Sequence, residues 1–561
     1  MFPGMQGNGY TQWIDKFGVI NVKDYGVVPN SSLDQTSAIQ NAINSTPVNG
    51  RLFFPPGTYL YSTVSLKQPM TLVGAGRFAT TLSRLSPSLN GIVLNADAIT
   101  VQDMGLNIAP GVTITGGNLL TSYNNSGGAF AVHHFTARRL VLTGAVNGSD
   151  AIGGLALWYS QNTHVEDILI AGTWGGGAVS LYGAGQSVVT TVRTLGTVTY
   201  ATGRPFIVDI NTGSDVSVTN CLASGIQGTS GMTQTAACFG MESTSRGQIT
   251  GCSAINNTTV AGSIDGITVD TSGSSPNTEI TVANNVCRNN SGSGIDVYNS
   301  DNVTLSGNVC TDNGDDGLEA FTSNHVILQG NIALRNKNQG IHVAGSSVVQ
   351  LTNNQCRENN NNGIAVQANG STLSNQIQLT SNVCTDNNQI ANTSSTPYQA
   401  CGISLQSGAT DVQVVGNVTK NLVGTTQLYG IGLFNTGWAN LKVIENNTDG
   451  NASVGINNDA AGDIRVVGVS PEDSLAGTSA GTVYYTQSQN GASKHFVAYA
   501  NGYENDSTTD QTITFPVPFN NPPVISVNTT GLTLSASTTT LTITAPDATT
   551  TYSGVVEVIG I

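Results

Sequence analysis

From Asn285 the chain repeats one phrase every 23 residues: NVCRNNSGSGIDVYNSDNVTLSG, NVCTDNGDDGLEAFTSNHVILQG, NIALRNKNQGIHVAGSSVVQLTN, then NQCRENNNNGIAVQANG. Longer spacings carry the phrase on through NVCTDN…CGISLQ and NVTKN…YGIGLF. A period of this length marks a solenoid in which each repeat is one rung. Within a repeat, apolar and polar residues alternate over two short runs, as in Ile295/Val297 and Val303/Leu305, which is strand periodicity. No helical spacing lies between these runs, so successive strands must stack parallel, and parallel connections are right-handed. The predicted class is all-β, a right-handed parallel β-helix.

Composition narrows the partners. The charged fraction is 9% and the net charge is −15, which argues against nucleic acid or an anionic membrane. No apolar run approaches the roughly 20 residues of a membrane span. The first residues, MFPGMQGNGYTQWIDKFG, lack the basic and apolar regions of a secretory signal. The expected location is extracellular or on a virion tail; no signal peptide is visible in this chain, so either one was removed or the protein reaches the outside by another route, such as virion assembly and cell lysis. Cys287, Cys310, Cys356 and Cys384 share one slot of the repeat with Ala333. A slot that takes Cys or Ala is a small apolar core position, and buried thiols act as small hydrophobes. Neither CxxC nor HExxH spacing occurs, so zinc is not expected.

Residues 1–19 are read as an N-terminal extension and 20–86 as a distinct entry segment. In the latter, DQTSAIQNAINS has the spacing of a short amphipathic helix with Asp34 as its cap. GRLFFPPGTYLY reads as strand, tight turn and strand. With Asp24-Tyr25-Gly26, that helix and Phe54-Pro55-Pro56-Gly57-Thr58-Tyr59, this stretch resembles the entry segment of the pectate-lyase-like β-helix superfamily. Where members often carry Gly-Asp-Gly after that triplet, this chain has Val28-Pro29-Asn30. The superfamily includes phage tailspikes, polysaccharide lyases, hydrolases, epimerases and pure binders, so the resemblance implies the fold and not one activity. Rungs are expected over 87–468, with Asn285, Asn308, Asn331, Asn354, Asn382, Asn417 and Asn446 forming an asparagine ladder. A linker over 469–483 precedes an alternating antiparallel unit over 484–561, sandwich-like, which resembles the small C-terminal β-domains of phage tail proteins. The tailspike resemblance implies a homotrimer.

Stacking aligns the outward-facing residues of each rung. One outward column reads Ser180, Gly240, Thr268, Asp296, Glu319 and His342. The next reads Trp158, Tyr182, Asp209, Glu242, Asp270, Tyr298 and Phe321. Six titratable groups thus gather beside aromatic rings on a chain otherwise poor in charge. Like charges on adjacent strands raise one another's pKa, which suits a general acid. Rings that stack on sugar faces beside carboxylates are what a carbohydrate groove needs.

Two chemistries compete. For hydrolysis, Glu319 is the general acid and Asp296 or Asp270 the partner carboxylate, with His342 orienting Glu319. Adjacent-rung carboxylates about 5 Å apart suit retention, and a diagonal pair about 8 Å apart suits inversion. No cofactor is then required. For elimination or epimerisation, His342 or Tyr298 takes the proton α to a uronate carboxylate, and calcium held by Asp315, Asp316 and Glu319 neutralises that carboxylate. GDDGLEAF, with Asp315 and Asp316, resembles the paired-aspartate motif of polygalacturonase-like hydrolases, whose remaining motifs are absent. The outward columns of the patch hold no Lys or Arg, which favours hydrolysis. The substrate expected is a polysaccharide, contacted through Trp158, Tyr182, Asp209, Glu242, Tyr298 and Phe321. The alternatives are a uronate lyase or epimerase, and a non-catalytic glycan-binding spike.

Overall fold

The computed structural model describes residues 19–122, 131–145, 153–201, 203–232, 234–271, 275–390, 397–406, 410–423 and 426–467, and strand segments between 475 and 560. Side chains are described through residue 457, except 435–439. The N-terminal extension therefore lies outside the described residues, apart from Val19. Two units divide the chain, Met1–Thr304 and Leu305–Ile561.

The first unit opens on strand Val19–Asn21, paired parallel with Gly50–Phe54, which pairs in turn with Met70–Gly74. The predicted helix forms over Thr36–Ser45 and buries Ile39, Ala42 and Ile43. Its N-cap is Gln35, one residue after the expected Asp34. Asp34 still accepts the Thr36 N–H at 2.8 Å and the Ser62 hydroxyl at 2.8 Å, which ties the helix start to the next strand. Gln40 lies against strand Val64–Leu66, its amide accepting from Ser65 N at 2.8 Å and donating to Ser65 O at 3.0 Å. A side-chain amide thereby stands in for a neighbouring strand, the protection an open edge needs.

Beyond this entry the rungs stack parallel and in register. Leu155–Trp158, Val179–Tyr182, Val208–Asn211, Thr235–Glu242, Ser263–Asp270 and Ile295–Tyr298 form one continuous ladder. Their inward residues, among them Leu157, Leu181, Ile210, Met241, Val269 and Val297, are fully buried. The period of two predicted from sequence is thus the alternation between core and outer face.

The second unit has the same architecture, with Leu318–Phe321, Ile341–Ala344, Ile364–Gln367 and Cys401–Leu405 stacked parallel. The asparagine ladder is present: Asn308, Asn331, Asn354, Asn382 and Asn417 each pass an amide N–H to the Oδ1 of the next, ending on Asn446, at 2.9 to 3.0 Å. In the first unit Asn285 accepts from Cys252 N at 2.8 Å. A second ladder, not anticipated, runs through Asn313, Asn336, Asn359, Asn387, Gln427 and Asn451. The shared slot holds as read, with Cys310, Ala333, Cys356 and Cys384 in register. All eight cysteines are buried thiols.

In the C-terminal region Val483–Asn490, Ser493–Tyr503, Tyr552–Gly560 and Val524–Val527 pair antiparallel. Gln511–Thr514, Thr540–Thr544 and Thr533–Ala536 form a separate three-stranded antiparallel sheet. Of the strand expected over ITFPVPF, residues 515–519 lie outside the described residues, as does most of the expected linker. Among the described residues no helix is long and apolar enough to cross a membrane.

Candidate functional site

The two outward columns are real, with one residue moved. In the first unit Ser180, Asp209, Gly240, Thr268 and Asp296 are partners along one column. Trp158, Tyr182, Asn211, Glu242 and Asp270 are partners along the next. Asp209 therefore belongs to the first column, not the second as the sequence suggested. Val208 and Ile210 both point into the core, which forces the residue between them outward and gives the second-column place to Asn211.

The larger correction concerns charge. A cation does enter the patch. Arg204 lies in the connection between strands Val188–Tyr200 and Val208–Asn211 and reaches across the outer face. Its Nη1 pairs with Glu242 Oε1, its Nη2 donates to Asp270 Oδ2 at 2.8 Å, and its Nε donates to Thr235 O at 3.2 Å. The guanidinium carbon stands 5.4 Å from the centroid of Phe206, within cation–π range. Phe206 lies on Gly240, where an added Cβ would meet its Cε1 at 2.5 Å. One missing side chain in the column thus seats the ring that seats the arginine.

Behind Arg204 the carboxylates are buried. Glu242, 7% exposed, accepts from Asn211 Nδ2 at 2.7 Å on its second oxygen. Burial raises its pKa and Asp270 adds to the rise, while Arg204 and Asn211 oppose it. Asp209 is 5% exposed, and its Oδ1 has no hydrogen-bond partner. Burial, then the Glu242 charge, hold its carboxyl well above the usual range, both disfavouring the ionised form. Tyr182 beside them is pushed up to about 12, chiefly by burial and then by Asp209.

The accessible part is a cleft of about 320 Å³ lined by Arg204, Gln234, Thr235, Asp270, Asp296 and Tyr298. Asp209 and Glu242, expected to touch substrate, do not line it. Trp158 and Tyr182, expected as exposed rings, are half-buried and stacked on each other, with centroids 4.7 Å apart and planes at 15°. Tyr298 is exposed.

The second unit carries its own constellation. Glu319 and His342 are register partners, as read from the repeat. His342 is not an exposed strand histidine, however; it is buried. Its Nδ1 lies 2.8 Å from Asp316 Oδ2, its Nε2 lies 2.6 Å from Gln367 Nε2, and Phe321 meets it edge-on at 4.8 Å. The hydrogen-bond network assigns the proton to Nδ1, donated to the carboxylate, with Nε2 accepting from the Gln367 amide. Asp316 Oδ1 also accepts from Gln339 N at 2.5 Å. Asp316, the register neighbour of no strand residue, is therefore the partner that orients His342.

Asp315, Asp316 and Glu319 offer oxygens within 4.8 Å of one another, a spacing that could hold a calcium ion. Both Asp316 oxygens already accept hydrogen bonds, so a cation here would share that carboxylate with His342.

Comparison with known proteins bears on the fold. The family model "right handed beta helix region" matches residues 248–418, and "rhamnogalacturonase A/epimerase, pectate lyase-like" matches residues 19–115. A solved tailspike variant of E. coli bacteriophage HK620, in complex with a pentasaccharide, is similar at 12% identity with a TM-score of 0.52, covering 100% of this chain and 96% of that one. The Dettilon tailspike protein is similar at 12% identity with a TM-score of 0.45, covering 100% of this chain and 97% of that one. Among curated proteins, plasmin and fibronectin-binding protein A of Streptococcus pneumoniae is 25% identical over 184 residues, 32% of this chain. The matched segment spans 24% of that protein's length, about a quarter. The entry segment, the in-register parallel rungs and the two family matches agree on the fold: this chain is a right-handed parallel β-helix, and its entry segment is similar to the pectate-lyase-like family model.

Proposed function

We propose that this protein is a depolymerase of the tailspike type, which hydrolyses glycosidic bonds of a surface or extracellular polysaccharide in the cleft of its first unit. The observation that carries the reading is that Asp270 and Asp296 both line that cleft beside the exposed Tyr298 ring. Asp296 pairs in register with Thr268, and Asp270 lies two residues further along the same strand. The carboxylates therefore occupy diagonal positions, with Cβ atoms about 7–8 Å apart. That separation leaves room for a water between sugar and carboxylate and predicts inversion. Asp270, ion-paired to Arg204, takes the proton of the attacking water. Asp296 gives its proton to the leaving glycosidic oxygen as the anomeric C–O bond breaks and the new one forms. Tyr298 offers the sugar a ring face.

The similarity to a tailspike solved with a pentasaccharide supports the substrate class, a virion or extracellular location and a homotrimer. Native mass would then be three times the chain's 57.8 kDa. A second reading has its own observation: the Asp315, Asp316 and Glu319 oxygens in the second unit suit a calcium-dependent uronate lyase or epimerase.

The test measures reducing ends and ultraviolet absorbance together on a panel of capsular and uronate polysaccharides. Asp270→Asn, Asp296→Asn and Glu319→Gln run beside the parent. Reducing ends without absorbance, lost in Asp270→Asn and Asp296→Asn while glycan binding persists, are expected. Absorbance abolished by a chelator would transfer the activity to the second reading. Binding without any product would make the protein a spike that only holds glycan.

A further inference from the structure

Resting on the reading of the first-unit cleft as a glycan site, we infer that the ring of Tyr159 is a second, distal sugar platform, so that the cleft takes long chains in preference to short ones. Tyr159 directly follows strand Leu155–Trp158, and its slot recurs in the next three rungs. The N–H of each slot residue donates to a carbonyl of the following rung: Tyr159 to Tyr182 at 2.6 Å, Gly183 to Asn211 at 2.7 Å, Thr212 to Glu242 at 2.7 Å and Ser243 to Asp270 at 3.1 Å. All four sit in the left-handed region, with φ of 54°, 64°, 55° and 49°. Glycine takes that conformation freely and a bulky side chain is strained in it, so the turn itself gives no reason for a tyrosine.

The core gives none either. Tyr159 is 60% exposed. Its ring lies against the next slot residue, where a Cβ added to Gly183 would meet Tyr159 Cδ1 at 2.8 Å. The glycine leaves a floor on which the ring is laid. One residue earlier in the same two rungs, Trp158 and Tyr182 stack with planes at 15°. Three rings therefore gather at one place, whereas the same two positions of the following rungs hold Asn211 and Thr212, Glu242 and Ser243, then Asp270 and Thr271. Strained residues cluster where ligands are held, and an exposed aromatic face is what a sugar ring stacks on.

The platform and the cleft lie on one track. From Tyr159 the slot continues through Gly183, Thr212, Ser243 and Thr271, with Thr212 exposed and Ser243 and Thr271 half-buried. These short hydroxyl side chains can bond sugar hydroxyls and present no bulk to a chain crossing them. The track takes four rung steps to reach Asp270, about 19 Å at about 4.8 Å a step. One sugar unit cannot touch both ends, but an extended chain can. Its second contact is then intramolecular and adds affinity without a second loss of translational freedom.

The experiment titrates the full chain with size-fractionated fragments of the capsular polysaccharides, from single repeat units upward, and reads reducing ends on the same fractions. Tyr159→Gly removes the ring and suits the left-handed turn; Tyr159→Phe keeps the ring. Fragments long enough to span the track should bind Tyr159→Gly about two- to tenfold more weakly than the parent, the range of one aromatic contact. Short fragments should bind both equally, and Tyr159→Phe should restore the difference. A merely structural role for the ring would not depend on fragment length. A loss shared equally by short and long fragments, or absent from both, would overturn this inference and leave the cleft reading standing. A change in native mass with fragment binding unaltered would also overturn it, assigning the ring to contact between copies. Long fragments bound through Tyr159 without any product would keep the platform and overturn hydrolysis. Binding of no fragment at any length would overturn both.

Discussion

Replacing Arg204 with alanine tests the arrangement at its centre. The side chain of Arg204 is 27% exposed, that of Glu242 9% and that of Asp270 22%. Breaking a fully buried ion pair costs about 3–5 kcal/mol, and breaking an exposed one costs about 0–1 kcal/mol. The Glu242 contact stands near the first limit and the Asp270 contact nearer the second. The partial exposure of Arg204 discounts the former, so the expected loss at pH 7 is about 2–4 kcal/mol. The pH dependence follows from Glu242. Its native pKa is already raised by burial, and Arg204 is the chief influence opposing that rise. Removing Arg204 raises it further. A carboxyl with a native pKa above its unfolded value, about 4.3, keeps its proton longer in the native state, so stability falls as pH rises through that interval. The deficit of Arg204→Ala should therefore be small near pH 4 and grow as pH rises. Unfolding of parent and variant, followed at several pH values from 4 to 8, reads this directly. Adding Glu242→Gln to Arg204→Ala should recover most of the loss, because no buried charge is left uncompensated. A deficit that is independent of pH, or larger in acid, would refute the reasoning.

Three further outcomes follow from the same structure. Asp209→Asn should stabilise the protein relative to the parent, increasingly as pH rises above about 4, because the raised native pKa of Asp209 makes the parent lose stability on deprotonation and the amide cannot deprotonate; thermal midpoints from acid to alkaline pH check the slope. Gly240→Ala should cost about 1–3 kcal/mol by overpacking against Phe206, and Phe206→Ala in the same chain should relieve the clash without restoring the Arg204 geometry, so stability returns before turnover. Asn331→Asp removes the amide donor to Asn354 Oδ1 at 3.0 Å and Leu305 O at 2.9 Å and should cost about 3–5 kcal/mol, two buried acceptors being left facing an acid; soluble yield and hydrogen exchange of the rungs report it.

The fold was legible because it is periodic. Rung length, inward residues, the Cys/Ala slot and the first asparagine ladder all recur at fixed spacing, and one strand of reasoning reaches them together. The second ladder was equally legible: the phrases NVCTDN, NIALRN and NQCREN end on asparagine as regularly as they begin on it. It was missed because only the first position was followed down the stack. The burial of His342 had no sequence signal of that kind. Its outward column was correct, but Asp316, Gln367 and Phe321 close around it from a turn and two rungs, and enclosure depends on their side-chain reach.

The site escaped the repeat for a physical reason. A column of strand positions says which residues share a face, but it is silent about what a connection folds back onto that face. Arg204 lies in such a connection and meets carboxylates 38 and 66 residues further along the chain. Its one sequence trace is indirect. Gly240 interrupts a column otherwise filled by Ser180, Asp209, Thr268 and Asp296, and a glycine there costs strand stability unless something occupies the space. Phe206 occupies it, and the arginine two residues earlier is thereby held over the acids. In a solenoid the regular rungs supply a lattice, and a glycine facing outward beside an irregular connection marks where the chain returns to cover it. Asp209 fits the same logic: a carboxyl with a buried, unpartnered oxygen is tolerated beneath that cover because burial favours its neutral form, which leaves Arg204 to serve Glu242 and Asp270.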